Sequence, residues 1–487
     1  MNGRMISYTV GRILMIEAAL LALPLLVAVI YGEVVDPYLS TMLMLVVVGF
    51  CMSPIKPKNT TLYARDGYAV VALTWLLMSA FGALPFVMSG DIPNFIDAYF
   101  ETVSGFTTTG SSILRAVEPL SRSGLFWRSF THWVGGMGVL VFVMAILPLT
   151  DARGMHALRA EMPGPTAGKL VSRMSDTAKI LYGIYFVMTI ILIALLMVGG
   201  MDWFDACVHA FGTAGTGGFS SRNASIGAYN SAYFDVVISI FMLLFGVNFN
   251  LYYFLLIGRI RETFGSEELR VYFGIVAAAV CIIAADIVHL YGSVATSVRH
   301  ALFQVSTIIT TTGYATADFD QWPTLSKAIL VTLMFVGACA GSTGGGIKVV
   351  RIVTLFKASL CDMRRMVHPN AVISVRVEGK PLSDRAVRSV QVYLSVYVMV
   401  FTASLLLISL EGFDLVTTFT SVAACINNIG PGLAVVGPTG NFADFSVWGK
   451  LLLSFDMLVG RLEIFPMLLL FAPSIWSKPH IEWKNNV

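Results

Sequence analysis

Apolar runs long enough to cross a bilayer alternate along this chain with shorter apolar stretches that each end in a loop rich in Gly, Thr or Asn. A spanning helix needs about 20 apolar residues, and the short stretches fall below that length. The pattern comes four times, with loops TTTGSS (107–112), GTAGTGGFSS (212–221), TTTGYAT (310–316) and NNIGPGL (427–433). A polar segment and a second long apolar run follow each loop. Glycines align at Gly110, Gly217, Gly313 and Gly430, spaced 107, 96 and 117 residues apart. Internal repetition of this kind sets the architecture. It predicts an all-α polytopic membrane protein of four pseudo-repeated helix–pore-loop–helix units around one pore, at 67–150, 177–262, 268–360 and 386–476. An N-terminal helical hairpin (8–55, within a segment 1–66) stands outside the repeats, with packing or lipid contact as its expected role.

Spacing refines the elements. The first unit should hold a helix at 68–90, a pore helix at Asn94–Phe106 and a return helix from Gly124 to Leu147. The second should hold a helix from Ile180 to Gly200 and a pore helix at 203–213. Phe100 and Phe303 precede their glycines by ten residues, and Glu101 and Gln304 by nine, which predicts a shared register. Asp97 precedes Gly110 by 13 residues but Asp205 precedes Gly217 by 12, so the second pore helix reads as one residue shorter. Glu101, Gln304 and His209 are expected to make buried hydrogen bonds. His132, Gly135, Gly136 and Gly138 are expected to allow close helix packing.

Four such loops suggest an ion filter. A cation crossing hydrocarbon must have its lost hydration replaced, and rings of backbone carbonyls can do so. Glycine tolerates the positive φ that turns successive carbonyls one way, threonine adds hydroxyl oxygens, and each pore helix aims its partly negative C-terminal end at the centre. The expected filter residues are Thr108, Thr109 and Gly110; Gly215, Thr216 and Gly217; Thr311, Thr312 and Gly313; and Asn428, Ile429 and Gly430.

The third return helix is interrupted: Leu325–Val336 is apolar, and GACAGSTGGGIK (337–348) follows. Each Gly costs a helix about 1 kcal/mol against Ala. Irregular backbone at membrane depth is tolerated only where it lines a cavity or is buried in protein. Gly341, Ser342, Thr343, Gly344, Gly345, Gly346 and Lys348 are therefore expected in the permeation path beneath the filter. A phosphate-binding loop is excluded, since it needs GxxxxGK[ST] after a strand. Here Lys348 is one place late, no Ser or Thr follows it, and both flanks are membrane helix. The loop 361–385 carries VISVRVEGKPLSD (372–384), which alternates like a short hairpin; it suits a partner-docking surface and a plain basic loop equally. In the fourth unit Asp456, Arg461 and Glu463 lie inside an apolar run, where a charge costs about 2.5–3.5 kcal/mol. Residues two apart on a helix do not face each other, so Arg461 and Glu463 are not partners. Arg461 is expected to face the pore, where about 3 kcal/mol of repulsion at about 6 Å would slow a cation without stopping it.

Composition agrees with a membrane protein: 56% of residues are hydrophobic, 13% charged, and mean hydropathy is +0.77, against about 25% charged in a soluble domain. Of 32 Lys and Arg, 24 fall in the N-terminus, the 54–66, 150–180, 258–270 and 348–388 segments and the tail (477–487). Seven (Arg115, Arg122, Arg128, Arg222, Arg299, Lys327 and Lys450) fall on the opposite side. The positive-inside rule then puts both termini in the cytoplasm and the filter loops outside. The six cysteines form no CxxC and no Cys/His cluster, so neither a disulfide nor a zinc site is expected. The apolar stretch Ile13–Ile30 lacks a small-residue cleavage site and is followed by a second span, so it reads as a retained helix, not a signal peptide.

With its four loops, GACAGSTGGGIKVVRI (337–352) and MLVGRLEIFPMLLLF (457–471), the chain resembles the bacterial TrkH/TrkG/KtrB potassium-uptake family over nearly its whole length. That resemblance implies K⁺ as the transported ion and a bacterial inner-membrane location. It implies a gate at 337–348 with Arg461 beside it. It also implies a homodimer on a cytosolic TrkA/KtrA-like ring that binds ATP/ADP or NAD(H). The chain has no nucleotide fold of its own, and no nucleic acid is expected as a partner. Two other function classes are open to test. A Na⁺- or H⁺-coupled potassium symporter fits the broken helix, but the repeats run in one direction and no chain of intramembrane acids is visible. An intramembrane enzyme needs a nucleophile–base or aspartyl pair, and none stands out.

Overall fold

The computed structural model describes residues 1–57, 59, 63–138, 174–371 and 373–473. The N-terminal helices α1 (Gly3–Leu20), α2 (Ala22–Tyr31) and α3 (Asp36–Met52) form the expected hairpin. α1 and α3 cross backbone to backbone: a Cβ added at Gly11 would lie 2.7 Å from the Gly49 oxygen, and one at Gly49 2.7 Å from the Gly11 oxygen.

Each repeat follows one plan. The first has α4 (Ala64–Gly82) and α5 (Leu84–Ser89), pore helix α6 (Phe95–Phe106) and return helix α7 (Arg122–Gly136). The second has α8 (Met174–Val198), pore helix α9 (Trp203–Gly215), the return pair α10 (Ala232–Phe245) and α11 (Phe249–Leu256), and a short α12 (Ile260–Gly265). The third has α13 (Glu267–Tyr291), pore helix α14 (Val294–Ile309), α15 (Thr324–Val336) and α16 (Val349–Val367). The fourth has α17 (Asp384–Ile408), pore helix α18 (Leu415–Ile426), α19 (Val447–Arg461) and α20 (Phe465–Leu470). Three pore helices start at an acceptor side chain: Asn94, Asp202 and Asp414 take N–H groups of the first turn, which sets where each helix begins.

The structure differs from expectation in three places. Among the described residues, five helices are long and apolar enough to span a membrane, or six if the bent pair α10–α11 counts as one, and the other apolar helices are shorter or broken. The sequence suggests a break in the third return helix alone, yet the second bends by 91° between α10 and α11. The fourth breaks at 462–464, where Glu463 (φ 54°) and Ile464 (φ 71°) are left-handed. A β-branched residue there is strained, and Pro466 just beyond disfavours continuing the helix. Finally, the expected 361–385 loop is helical through Val367 before the hairpin β1 (Arg376–Val377) and β2 (Lys380–Pro381). The predicted end of the first return helix at Leu147, the residues Arg153, Arg159, Lys169 and Arg173, and the tail 477–487 lie outside the described residues.

Replacing Gly49 by Val should force α1 and α3 apart and destabilise the protein by about 1–3 kcal/mol, read as a lower thermal midpoint in detergent. Gly183→Ala, where nothing lies within 4 Å of an added Cβ, should leave the midpoint unchanged or slightly higher.

Candidate functional site

All four pore helices run into a residue in the left-handed region: Thr108 (φ 55°), Thr216 (57°), Thr311 (58°) and Asn428 (55°). Two residues on, a glycine is again at positive φ: Gly110 (80°), Gly218 (79°), Gly313 (90°) and Gly430 (99°). Between them Thr109, Gly217, Thr312 and Ile429 donate their N–H groups to Ser104, Gly212, Thr307 and Ala424 at 2.8–2.9 Å. This fourfold match corrects the register expected for the second repeat. The equivalent of Gly110 is Gly218, not Gly217; Gly217 matches Thr109, and Gly215 is the last residue of α9. Asp205 then precedes its ring glycine by 13 residues, as Asp97 does, so the second pore helix is not shorter. Adjacent glycines hid the register, because sequence does not show which of the two has positive φ.

The four glycines close on one another in chain order. A Cβ at Gly110 would lie 1.9 Å from the Gly217 oxygen, at Gly218 2.1 Å from that of Thr312, at Gly313 2.2 Å from that of Ile429, and at Gly430 2.8 Å from that of Thr109. A side chain at any of these positions would force the neighbouring backbone to shift. The same four glycines line a cavity of about 140 Å³, together with Ser111, Ser220, Arg128 and Asn441. Among the described residues, no N–H or O–H donates to the main-chain oxygens of Thr109, Gly217, Thr312 or Ile429. Buried carbonyls are normally paired, so these four are available to a ligand.

Polar side chains brace the ring from behind. Glu101 accepts from Ser112 Oγ (2.9 Å) and the Ile113 N–H (3.0 Å), and pairs with Arg128 Nε at 2.5 Å. Arg128 also donates to the Ser220 oxygen (3.2 Å) and lies 3.5 Å from the centre of the Phe219 ring. The pair therefore joins the strands leaving the first and second loops. Arg128, counted by sequence among the outward-side cations, is 4% exposed. With the corrected register His209 stands where Glu101 does, nine residues before its glycine, and its Nε2 meets Ser220 Oγ at 2.9 Å. Gln304 donates to the Ala317 oxygen at 3.3 Å. The close packing expected of the α7 glycines is present: a Cβ at Gly135 would lie 1.8 Å from the Phe106 oxygen, and one at Gly136 2.7 Å from Gly215 Cα. His132 meets the Gly105 oxygen through Nδ1 at 2.7 Å.

The interrupted stretch 337–348 lies directly against this ring, on the side where the pore helices end. The Gly345 N–H donates to Thr311 Oγ1 (2.6 Å) and the Gly346 N–H to the Asn427 oxygen (3.1 Å). A Cβ at Gly344 would lie 2.9 Å from the Thr310 oxygen. The break in the second return helix receives the loop: Thr343 N–H donates to Phe245 (3.4 Å), and Phe249 N–H donates to Gly341 (3.0 Å). Ser342 Oγ donates to the Cys339 oxygen at 2.6 Å, and Lys348 Nζ donates back to Gly344. Arg461 donates to the Thr343 oxygen at 2.8 Å and to those of Gly135 and Gly136 at 2.6 Å each. It thus ties the loop to the first return helix. Glu463 pairs with Arg351, and Asp456 accepts from Ser404 Oγ at 2.6 Å.

A family model described as a cation transport protein, TrkH, matches residues 38–273 and 275–478. The chain belongs to the TrkH family. Trk system potassium uptake protein TrkH of Salmonella typhimurium is 38% identical over 98% of this chain and 100% of its own length. Trk system potassium uptake protein TrkG of Escherichia coli K12 is 34% identical over 97% of this chain and 98% of its own. A crystal structure of the potassium transporter TrkH from Vibrio parahaemolyticus superposes with a TM-score of 0.88 at 34% identity, covering 98% of this chain and 100% of that one. As a TrkH-family member the chain is a helical, multi-pass membrane transport protein, not an enzyme.

Removing the charge at Glu101 leaves Arg128 buried without its counter-ion. Glu101→Gln should cost about 3–5 kcal/mol, seen as a lower unfolding midpoint in detergent, and adding Arg128→Met should recover much of the loss.

Proposed function

We propose that this chain takes up potassium through a pore whose filter is the ring Thr108–Gly110, Thr216–Gly218, Thr311–Gly313 and Asn428–Gly430. The closed ring of unpaired carbonyls carries the reading. Positive φ at every second residue lets successive carbonyls turn to one side, and such oxygens replace the water a cation sheds. The names of the relatives supply the ion. Inward flux follows the membrane potential, worth about 2.3 kcal/mol per charge per 100 mV. The ring is uneven, with Thr, Gly, Thr and Ile at its middle level, so it discriminates against sodium less well than four identical strands would.

Loop 337–348 acts as the gate in this reading, because it fills the space under the ring and Arg461 fastens it. The chain works as a homodimer in the bacterial inner membrane, with both termini cytoplasmic, under a cytosolic nucleotide-binding ring. Broken helices also suit a symporter; flux that follows a Na⁺ or H⁺ gradient at fixed voltage would favour that alternative.

Gly313→Ser should lower the K⁺/Na⁺ flux ratio in proteoliposomes, and an unchanged ratio would count against the filter. Arg461→Gln should raise K⁺ flux, by up to about a hundredfold if the whole 3 kcal/mol barrier disappears. Flux at or below that of the parent chain would remove Arg461 from the gate.

A further inference from the structure

We infer that Glu268 and Glu378 are positioning residues that fasten the gating loop to the hairpin Arg376–Pro381, so that displacing the hairpin frees the loop. The inference rests on loop 337–348 being the gate.

Glu268 sits in the first turn of α13 and is 6% exposed. Its Oε1 accepts from the Ala340 N–H at 2.7 Å and the Val350 N–H at 3.2 Å. These two residues flank the Gly-rich stretch, so one carboxylate oxygen pins both ends of the loop. A loop held at both ends has little freedom to swing away from the ring. Ala340 and Val350 are both buried, and a buried N–H left without an acceptor is costly, which makes this oxygen a sensible place for a latch.

The hairpin holds the same helical turn from outside. Glu378 occupies the hairpin's tip in the left-handed region (φ 53°). Its Oε1 accepts from Ser266 Oγ (2.9 Å) and the Glu268 N–H (3.1 Å), and its Oε2 from the Glu267 N–H (2.9 Å). It is thus the anion that satisfies the open N–H groups and the positive dipole end of α13. In return its own N–H donates to Glu267 Oε2 at 3.2 Å. Lys357 of α16 completes the junction: Nζ donates to the Arg376 oxygen at 2.9 Å and pairs with Glu267. Val377, 4% exposed, packs with Ala340 and Val350, the same two residues that Glu268 holds. The hairpin therefore reaches the gate twice, through Val377 directly and through the turn of α13 that carries Glu268.

Arg376, Gly379, Lys380 and Pro381 are exposed on the hairpin's other side. A pull there would break the Glu378 contacts first, because they link two elements rather than two turns of one helix. Withdrawing Glu378 leaves three N–H and O–H groups of the α13 first turn open, and that turn positions Glu268.

The test uses the full-length chain in proteoliposomes without any partner, with ⁸⁶Rb⁺ influx as readout. Glu378→Ala should raise influx about tenfold, the effect of losing one strong charge-assisted contact, and Lys380→Ala should leave it unchanged. Hydrogen exchange by mass spectrometry on Glu378→Ala should show faster exchange at Ala340 and Val350, with α14 unchanged. Arg461→Gln run in parallel separates the two failures. If no variant conducts Rb⁺, the pore reading falls; if Arg461→Gln conducts and Glu378→Ala matches the parent in flux and exchange, the latch falls. Should Glu378→Ala not fold, Glu378→Gln, which keeps one acceptor oxygen, carries the same measurements with a smaller rise expected.

Discussion

Four glycine-to-carbonyl contacts hold the centre of this protein. Each ring glycine lies so close to the next repeat's backbone that a single methyl group would overlap an oxygen. Backbone can approach backbone this way only if each pore helix ends in the same turn, and the repeated bond from the middle residue of the loop back into the helix enforces that turn. The caps that start the pore helices and the Glu101–Arg128 brace behind them serve one requirement, which is to keep four short helix ends at a fixed distance from one axis.

The packing at the pore-helix ends follows from the same constraint. Because the pore helices end at the ring, the return helices must pass close to those ends. Gly135 and Gly460 press against the last carbonyls of their own pore helices, Phe106 and Ile426. The helices stop or bend there: at Gly136 in the described part of the first repeat, between α10 and α11 in the second, at Gly337 in the third and after Arg461 in the fourth. The third repeat's interruption packs against the ring, and the others supply oxygens and the guanidinium that hold it. Three main-chain carbonyls, those of Thr343, Gly135 and Gly136, accept from the Arg461 guanidinium and so spread its charge over two repeats.

Much of this was legible in the residues. Gly, Thr and Asn clusters after short apolar stretches marked the four loops, and three consecutive glycines marked the interruption of the third return helix, because a helix does not favour such a run. The register of the second loop was not legible, since Gly217 and Gly218 are chemically alike and only φ distinguishes them. The bend between α10 and α11 escaped because GVN (246–248) is short and its flanks are apolar on both sides. The burial of Arg128 escaped because an arginine near a helix end reads as a water-facing cation until its partner, 27 residues earlier, is seen beside it.

The central claim is that main-chain oxygens from four unlike loops bind a dehydrated alkali ion at one point. Cryo-electron microscopy or crystallography with thallium in place of potassium tests it most directly. The account predicts density on the axis enclosed by Gly110, Gly218, Gly313 and Gly430, at the level of the Thr109, Gly217, Thr312 and Ile429 oxygens. Thallium bound elsewhere in the protein, with that point empty, would contradict it.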